Sequence, residues 1–169
     1  FKASAKSADA VVVSSKLEYE DAIEFGINKD KLHVIPMGID VDEYMNKPVR
    51  QNEDTIKILF VGRIARVRRI EILLQAVAKL SIPFHLTLVG GEEKTSSLSR
   101  SGYLDELKKL CVTLNINDRV TFIGSVPQDE LINWYSKGDI FVYPSLYENF
   151  GQPILEAAGA GLPIISTPV

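Results

Sequence analysis

Residues 56–91 read IKILFVGRIARVRRIEILLQAVAKLSIPFHLTLVGG, and the order of patterns in this stretch decides the fold. IKILFVGRI (56–64) and HLTLVGG (85–91) are aliphatic runs with little polar alternation, so both faces of each strand must be covered. Between them IEILLQAVAKL (70–80) places apolar residues at 70, 73, 74, 77, 78 and 80, the period of a helix buried along one face. A strand, a helix and a second strand of this kind form the repeating unit of a parallel sheet. The alternation continues downstream. RVTFIGSV (119–126), IFVYPS (140–145) and PIISTPV (163–169) read as strands, separated by the helical patterns YLDELKKLCVTLNI (103–116), VPQDELINWYSKG (126–138) and PILEAAGAG (153–161). Residues 56–169 are therefore expected to form an α/β domain with a Rossmann-like, doubly wound parallel sheet in three α/β/α layers.

Upstream, VVVSS (11–15) and LHVIPMG (32–38) read as two further strands within a front piece, 1–38. IDVDEYMNKPVRQNEDT (39–55) is polar, acidic and aperiodic, the composition of a linker, and GGEEKTSSLSRSG (90–102) reads as a serine-rich loop. The 169 residues are 46% hydrophobic with a formal net charge of −3, so no basic surface suits nucleic acid in bulk, and any anion site must be local. The single cysteine, Cys111, excludes an internal disulfide framework and reads as a small apolar residue on a helix, compatible with a reducing compartment. No window reaches the roughly 18 apolar residues of a membrane-spanning helix, and FKASAKSADA lacks the apolar core of a signal peptide. The chain starts without Met and is expected to be a piece of a longer protein.

In a parallel sheet the residues that follow each strand gather at one edge, where open α/β folds bind ligands. Here those residues are Gly62, Arg63 and Arg66; Gly90 and Gly91; Gly124, Ser125 and Val126; and Ser145 to Gly151. The arginines at 63, 66, 68 and 69 precede the helix 70–80, where unpaired cations oppose the helix dipole at a cost of about 0.3–1 kcal/mol each. An anionic ligand such as a diphosphate would reverse the sign of that interaction. The alternative is a solvated basic surface offset by Glu71. Further on, Pro153 fits the first turn of its helix and Gly161 its stop. Glu156 is the lone charge on this small, aliphatic helix. A buried carboxylate requires donors, which ribose hydroxyls, an arginine or backbone amides could supply. His33 and His85 lie in strand-like runs and read as structural, and Asp40 and Asp42 read as hinge residues rather than metal ligands.

The ordered series ADAVVVSS, LHVIPMGID, ILFVGRI, HLTLVGG, RVTFIGSVPQDEL, YSKGDIFVYPSLYE and ENFGQPILEAAGAGLPII resembles the retaining glycosyltransferases of the two-domain GT-B fold, of the family 4 or group 1 type. The likeness covers essentially the whole chain. It implies that residues 56–169 are a nucleotide-sugar-binding domain truncated at its C-terminus, and that 1–38 are the end of an acceptor-binding domain. The family's two cations on the donor diphosphate fall at Arg63 and Arg68, with Arg68-Arg69 standing where Lys-Gly is usual. Its glutamate pair falls at Glu148, beside the donor sugar, and Glu156, on the ribose. Gly62, Asn149, Phe150, Gly151 and Gln152 would approach sugar and phosphates, and Ser125 and Val126 the base. Glu148, Arg63 and Arg68 are thus the expected catalytic residues.

The resemblance further implies a UDP-, GDP- or ADP-sugar as substrate, no cofactor or metal, and a glycan or lipid-linked acceptor held by a domain outside the chain. It implies a cytoplasmic location, with peripheral membrane association through regions outside the chain. The isolated piece is expected to be inactive. Two other readings remain open: an epimerase or phosphorylase on the same fold, and a non-catalytic nucleotide-sugar-binding subunit. A dinucleotide oxidoreductase is disfavoured because FVGRIARVRR lacks the G-x-G-x-x-G turn.

Overall fold

The computed structural model describes residues 2–44, 54–92 and 102–168. Positions 45–53 of the expected linker and 93–101 of the expected serine-rich loop lie outside the described residues. The chain divides into two compact units: residues 1–39 with 148–152, and residues 40–147 with 153–169.

In the first unit α1 (Lys2–Ser7), β1 (Val11–Val13), α2 (Lys16–Glu24) and β2 (Leu32–Val34) follow one another. The two strands pair in parallel, with Val11 opposite Leu32 and Val13 opposite Val34. β1 is shorter than VVVSS suggests because both serines serve the next helix. Ser15 caps α2 by accepting from the Glu18 amide at 3.1 Å, and the Glu18 carboxylate returns to the Ser14 amide at 2.7 Å and its hydroxyl at 2.6 Å. These Ser14 hydrogen bonds, hydroxyl first, hold the Glu18 pKa below its ordinary value, with a contribution from Asn149.

The second unit opens with the short α3 (Val41–Tyr44) and continues as β3 (Ile56–Val61), α4 (Ile70–Val77), β4 (Phe84–Val89), α5 (Tyr103–Thr113), β5 (Val120–Gly124), α6 (Gln128–Lys137), β6 (Ile140–Tyr143), α7 (Gln152–Gly159) and β7 (Ile164–Ser166). The five strands form one parallel sheet in the order β5-β4-β3-β6-β7. The expectation of a doubly wound α/β domain holds. β3 is central, and Leu59, Phe60 and Val61 along it are buried, as a strand covered on both faces requires. The chain winds outward one way through β4 and β5, then crosses over to β6 and β7 on the other side of β3. That reversal creates a switch point beside the C-terminal end of β3. α4 packs on α5, whereas α6 packs on α3 and β3.

Helices stop where backbone geometry dictates. α5 ends at Thr113 rather than 116 because Asn115 turns left-handed at φ 54°, and the Ile116 amide then returns to the Cys111 carbonyl at 3.0 Å. Cys111 is buried in α5, which raises its thiol pKa. A row of rings runs through the interior. Phe60, Tyr143, Phe141, Tyr135 and Tyr44 follow one another at centroid separations of 5.6, 5.8, 5.8 and 5.9 Å. On the flank of α6, the Lys137 ammonium sits 4.3 Å above the ring of Trp134.

Candidate functional site

At the C-terminal ends of β3, β4 and β5 lies an open cleft of about 390 Å³, lined by Val61, Gly62, Arg63, Val89, Gly90, Gly91, Glu92, Ser125, Val126 and Leu131. Backbone hydrogen bonds brace the strand ends around it. The Gly62 amide donates to the Val89 carbonyl at 2.9 Å, Gly90 to Gly124 at 2.8 Å, and Ile64 to Gly91 at 2.9 Å, drawing three strand ends together. Gly90 is required by this approach: a Cβ there would stand 1.9 Å from the Gly62 carbonyl oxygen, and its φ is +139°. Six residues singled out from the sequence, Gly62, Arg63, Gly90, Gly91, Ser125 and Val126, meet here, with Arg63 and Ser125 exposed.

The other arginines of GRIARVRR are distributed differently. Residues Arg66–Arg68 form a 3-10 turn between β3 and α4, so only Arg69 abuts α4. Arg66 binds both carboxylate oxygens of Glu106 at 2.6 and 2.7 Å and lies 4.9 Å over the Tyr103 ring. Glu71, the expected counter-charge, instead accepts from the Tyr103 hydroxyl. Burial and this bond to Glu71 raise the Tyr103 pKa well above its ordinary value.

Arg68 is 8% exposed. Its Nη1 donates to Ser145 Oγ at 2.9 Å and the Tyr147 carbonyl at 3.1 Å, fixing the loop that leaves β6. The Leu146 amide adds a bond to the Val67 carbonyl at 2.7 Å, and Thr167 Oγ1 donates to the Ser145 carbonyl. Arg69 adopts left-handed geometry, φ 50° and ψ 41°, a backbone conformation that glycine adopts more readily than arginine.

Glu156, in the second turn of α7, is 3% exposed, and its donor comes from within the protein. The Tyr135 hydroxyl lies 2.7 Å from Oε2. Burial, followed by the charge of and hydrogen bond to Glu156, pushes the Tyr135 pKa far above its ordinary value, so the phenol keeps its proton and donates. Burial, then the charges of Glu156 and Glu43, take Tyr44 up to about 12. Glu148, Asn149, Phe150, Gly151 and Gln152 group with residues 1–39 rather than with the cleft's unit. Within that segment Gln152 Oε1 is buried without a hydrogen-bond partner among the described residues.

Two polar residues escaped the sequence reading. One is Tyr135, whose only local signal was a tyrosine inside an amphipathic helix. The other is Glu92, whose Oε1 accepts from the amides of Gly102, Tyr103 and Leu104 at 3.1, 2.8 and 3.3 Å and so caps α5 from outside the helix. Gly102 before that helix, with no capping side chain of its own, was the available hint.

Comparison with known proteins agrees with this architecture. The family model described as Glycosyl transferases group 1 matches residues 41–169. A D-inositol 3-phosphate glycosyltransferase of Xylanimonas cellulosilytica is 29% identical over 178 residues, covering 96% of this chain and 41% of the relative. An uncharacterized glycosyltransferase of Methanocaldococcus jannaschii is 32% identical over 176 residues, covering 97% and 43%. The chain thus spans about two-fifths of the length of these relatives. Among solved structures, the sucrose-phosphate synthase of Thermosynechococcus elongatus superposes with a TM-score of 0.80 at 32% identity, over 99% of this chain and 43% of that one. Anabaena HepE, solved in complex with UDP and glucose, shares the fold with a TM-score of 0.83 at 23% identity, over 96% and 45%. With a parallel five-stranded Rossmann-like domain and a family match over most of its length, the chain belongs to the Glycosyl transferases group 1 family, whose members here carry the GT-B fold.

Proposed function

We infer that this chain is the donor-binding part of a retaining, family 4-type hexosyltransferase that takes a sugar from a nucleoside diphosphate and delivers it to an acceptor. The observation that carries the reading is the cleft at the ends of β3, β4 and β5, lined by Gly62, Gly90, Gly91 and exposed Arg63, in a chain of this family. A glycine-lined floor lets phosphates approach the main chain, and a guanidinium matches their geometry. Neighbours of the same fold are named in complexes with UDP and with UDP-glucose, which supports a nucleotide sugar as the ligand.

In this reading residues 1–38 end the acceptor domain, 39–55 link the two, and 56–169 hold the donor. Ser125 and Val126 meet the base, Glu156 the ribose, and Gly62 with Arg63 the diphosphate. Arg68, held by Ser145 and Tyr147, adds a positive charge that cannot swing away. As the bond between the anomeric carbon and the diphosphate breaks, negative charge grows on the leaving oxygens and positive charge on the sugar. Arg63 and the backbone amides stabilise the first, and the Glu148 carboxylate the second. Asn149, Phe150 and Gly151 shape the sugar's surroundings, and the buried Gln152 Oε1 is an acceptor suited to a sugar hydroxyl. The new bond forms on the face the diphosphate leaves, so configuration is retained. The reading calls for no metal or cofactor. Nucleic acid is not a partner. The acceptor is a glycan or a lipid-linked molecule met on the cytoplasmic side, with membrane contact made by regions outside this chain. Because catalysis needs closure around both substrates, the piece alone binds donor without transferring sugar.

Calorimetric titration with UDP-, GDP- and ADP-sugars tests this. One donor should bind, and Arg63→Ala should weaken it by about tenfold, the loss expected for a charge-assisted contact. Binding of none of the three, or unchanged affinity in Arg63→Ala, overturns the assignment.

A further inference from the structure

The buried side chain against Glu156 belongs to α6, not to the glutamate motif, and its geometry is that of a support. Tyr135 is fully buried at 0% exposure, and its hydroxyl points at Glu156 Oε2 from 2.7 Å, with the Pro153 carbonyl 3.4 Å away. The ring cannot swing freely. Tyr44 meets it edge-on at 5.9 Å and 67°, and Phe141 lies tilted against it at 5.8 Å. Three elements, α3, α6 and β6, therefore converge to place one hydroxyl proton. Packing alone would be served equally well by phenylalanine, whose ring has the same shape. What the hydroxyl adds is a fixed donor for one carboxylate oxygen of a glutamate that is itself 3% exposed.

We propose that Tyr135 is a positioning residue for ribose recognition: its hydroxyl holds Oε2 of Glu156, so that the carboxylate presents Oε1, as a single-geometry acceptor, to a hydroxyl of the donor's ribose. The inference rests on the ribose role given above to Glu156. A carboxylate has two equivalent oxygens and a rotatable terminal torsion, and a donor fixed on one of them removes that freedom before ligand arrives. The phenol keeps its proton throughout the neutral range and donates it to Oε2 of Glu156. The chain thus recognises ribose through a relay of two residues, of which only the second touches the sugar.

The experiment measures Kd by calorimetry for whichever of UDP, GDP and ADP binds best, and for its 2′,3′-dideoxy form, in the full chain and in Tyr135→Phe, Glu156→Gln and Glu156→Asp. The ratio of the two Kd values reports ribose recognition alone. Tyr135→Phe should weaken the ribonucleotide by about fivefold, the worth of one hydrogen bond, while leaving the dideoxy form unchanged. Glu156→Gln should abolish the discrimination. Glu156→Asp, which keeps the charge but draws it away from the phenol, should reduce it and serves if Tyr135→Phe does not fold. A purely structural tyrosine predicts equal Kd changes for both ligands in Tyr135→Phe, and that result overturns the inference. If Glu156→Gln keeps full discrimination, the ribose role of Glu156 itself fails. If Glu156→Gln loses discrimination while Tyr135→Phe, or failing that Glu156→Asp, retains it, only the positioning role fails.

Discussion

The cleft at the ends of β3, β4 and β5 and the knot around Arg68 adjoin the same strand, β3, yet they treat polarity in opposite ways. The cleft is lined by glycines, aliphatic side chains and the charged Arg63 and Glu92, and is open to solvent. The knot is closed: Nη1 of a buried guanidinium donates to a hydroxyl and a carbonyl, and that hydroxyl donates to the same carbonyl, beneath the loop that leaves β6. The difference teaches that charged residues crowded into one short motif need not share a task. Arg63 is presented, Arg66 is tied to Glu106, Arg68 anchors a loop, and Arg69 occupies a backbone position that favours glycine.

Substitutions can break this contrast in order of expected size. Gly90→Ala drives a methyl group into the Gly62 carbonyl, where backbone cannot yield as a side chain would. Urea unfolding followed by circular dichroism should show a loss of about 4 kcal/mol or failure to fold. A loss under about 1 kcal/mol would mean that the strand ends are not locked together. Arg68→Ala removes two charge-assisted bonds, to the Ser145 hydroxyl and the Tyr147 carbonyl, and empties the space of a buried side chain, with an expected loss of about 2 kcal/mol by the same measurement. Arg66→Ala removes an exposed ion pair and a cation–ring contact with Tyr103 and should cost no more than about 1 kcal/mol, so equal effects at 66 and 68 would erase the distinction. Smallest, and opposite in sign, Arg69→Gly relieves the left-handed backbone and should raise the free energy of unfolding by about 0.5 kcal/mol after the added flexibility of the unfolded chain.

The sheet was legible because covering a strand on both faces writes itself into composition: the run ending in Phe60 and Val61 has few polar positions to misplace. Arg69's left-handed backbone was not legible, since an arginine gives no local sign of a positive φ. Strand ends were read too long at β1, since Ser14 and Ser15 look like strand residues until their capping partner, Glu18, is known. The least legible features were the long-range pairs. Arg68 and Ser145 are separated by 77 residues and Tyr135 and Glu156 by 21, and no local periodicity encodes which donor a buried acceptor will meet. Motif spacing brought Glu156 to notice as a buried charge in need of donors. That its donor is a tyrosine of α6 became visible only with the fold.

The contact between Lys137 and Trp134 has an optical consequence. Trp134 is the chain's single tryptophan, so excitation at the red edge of the protein's absorbance reports one indole at one place. That indole is next to Tyr135 on α6, with a cation 4.3 Å from its ring, and its emission responds to the local field. A spectral shift on adding nucleotide would therefore be a signal from α6 itself, obtained without attaching a label.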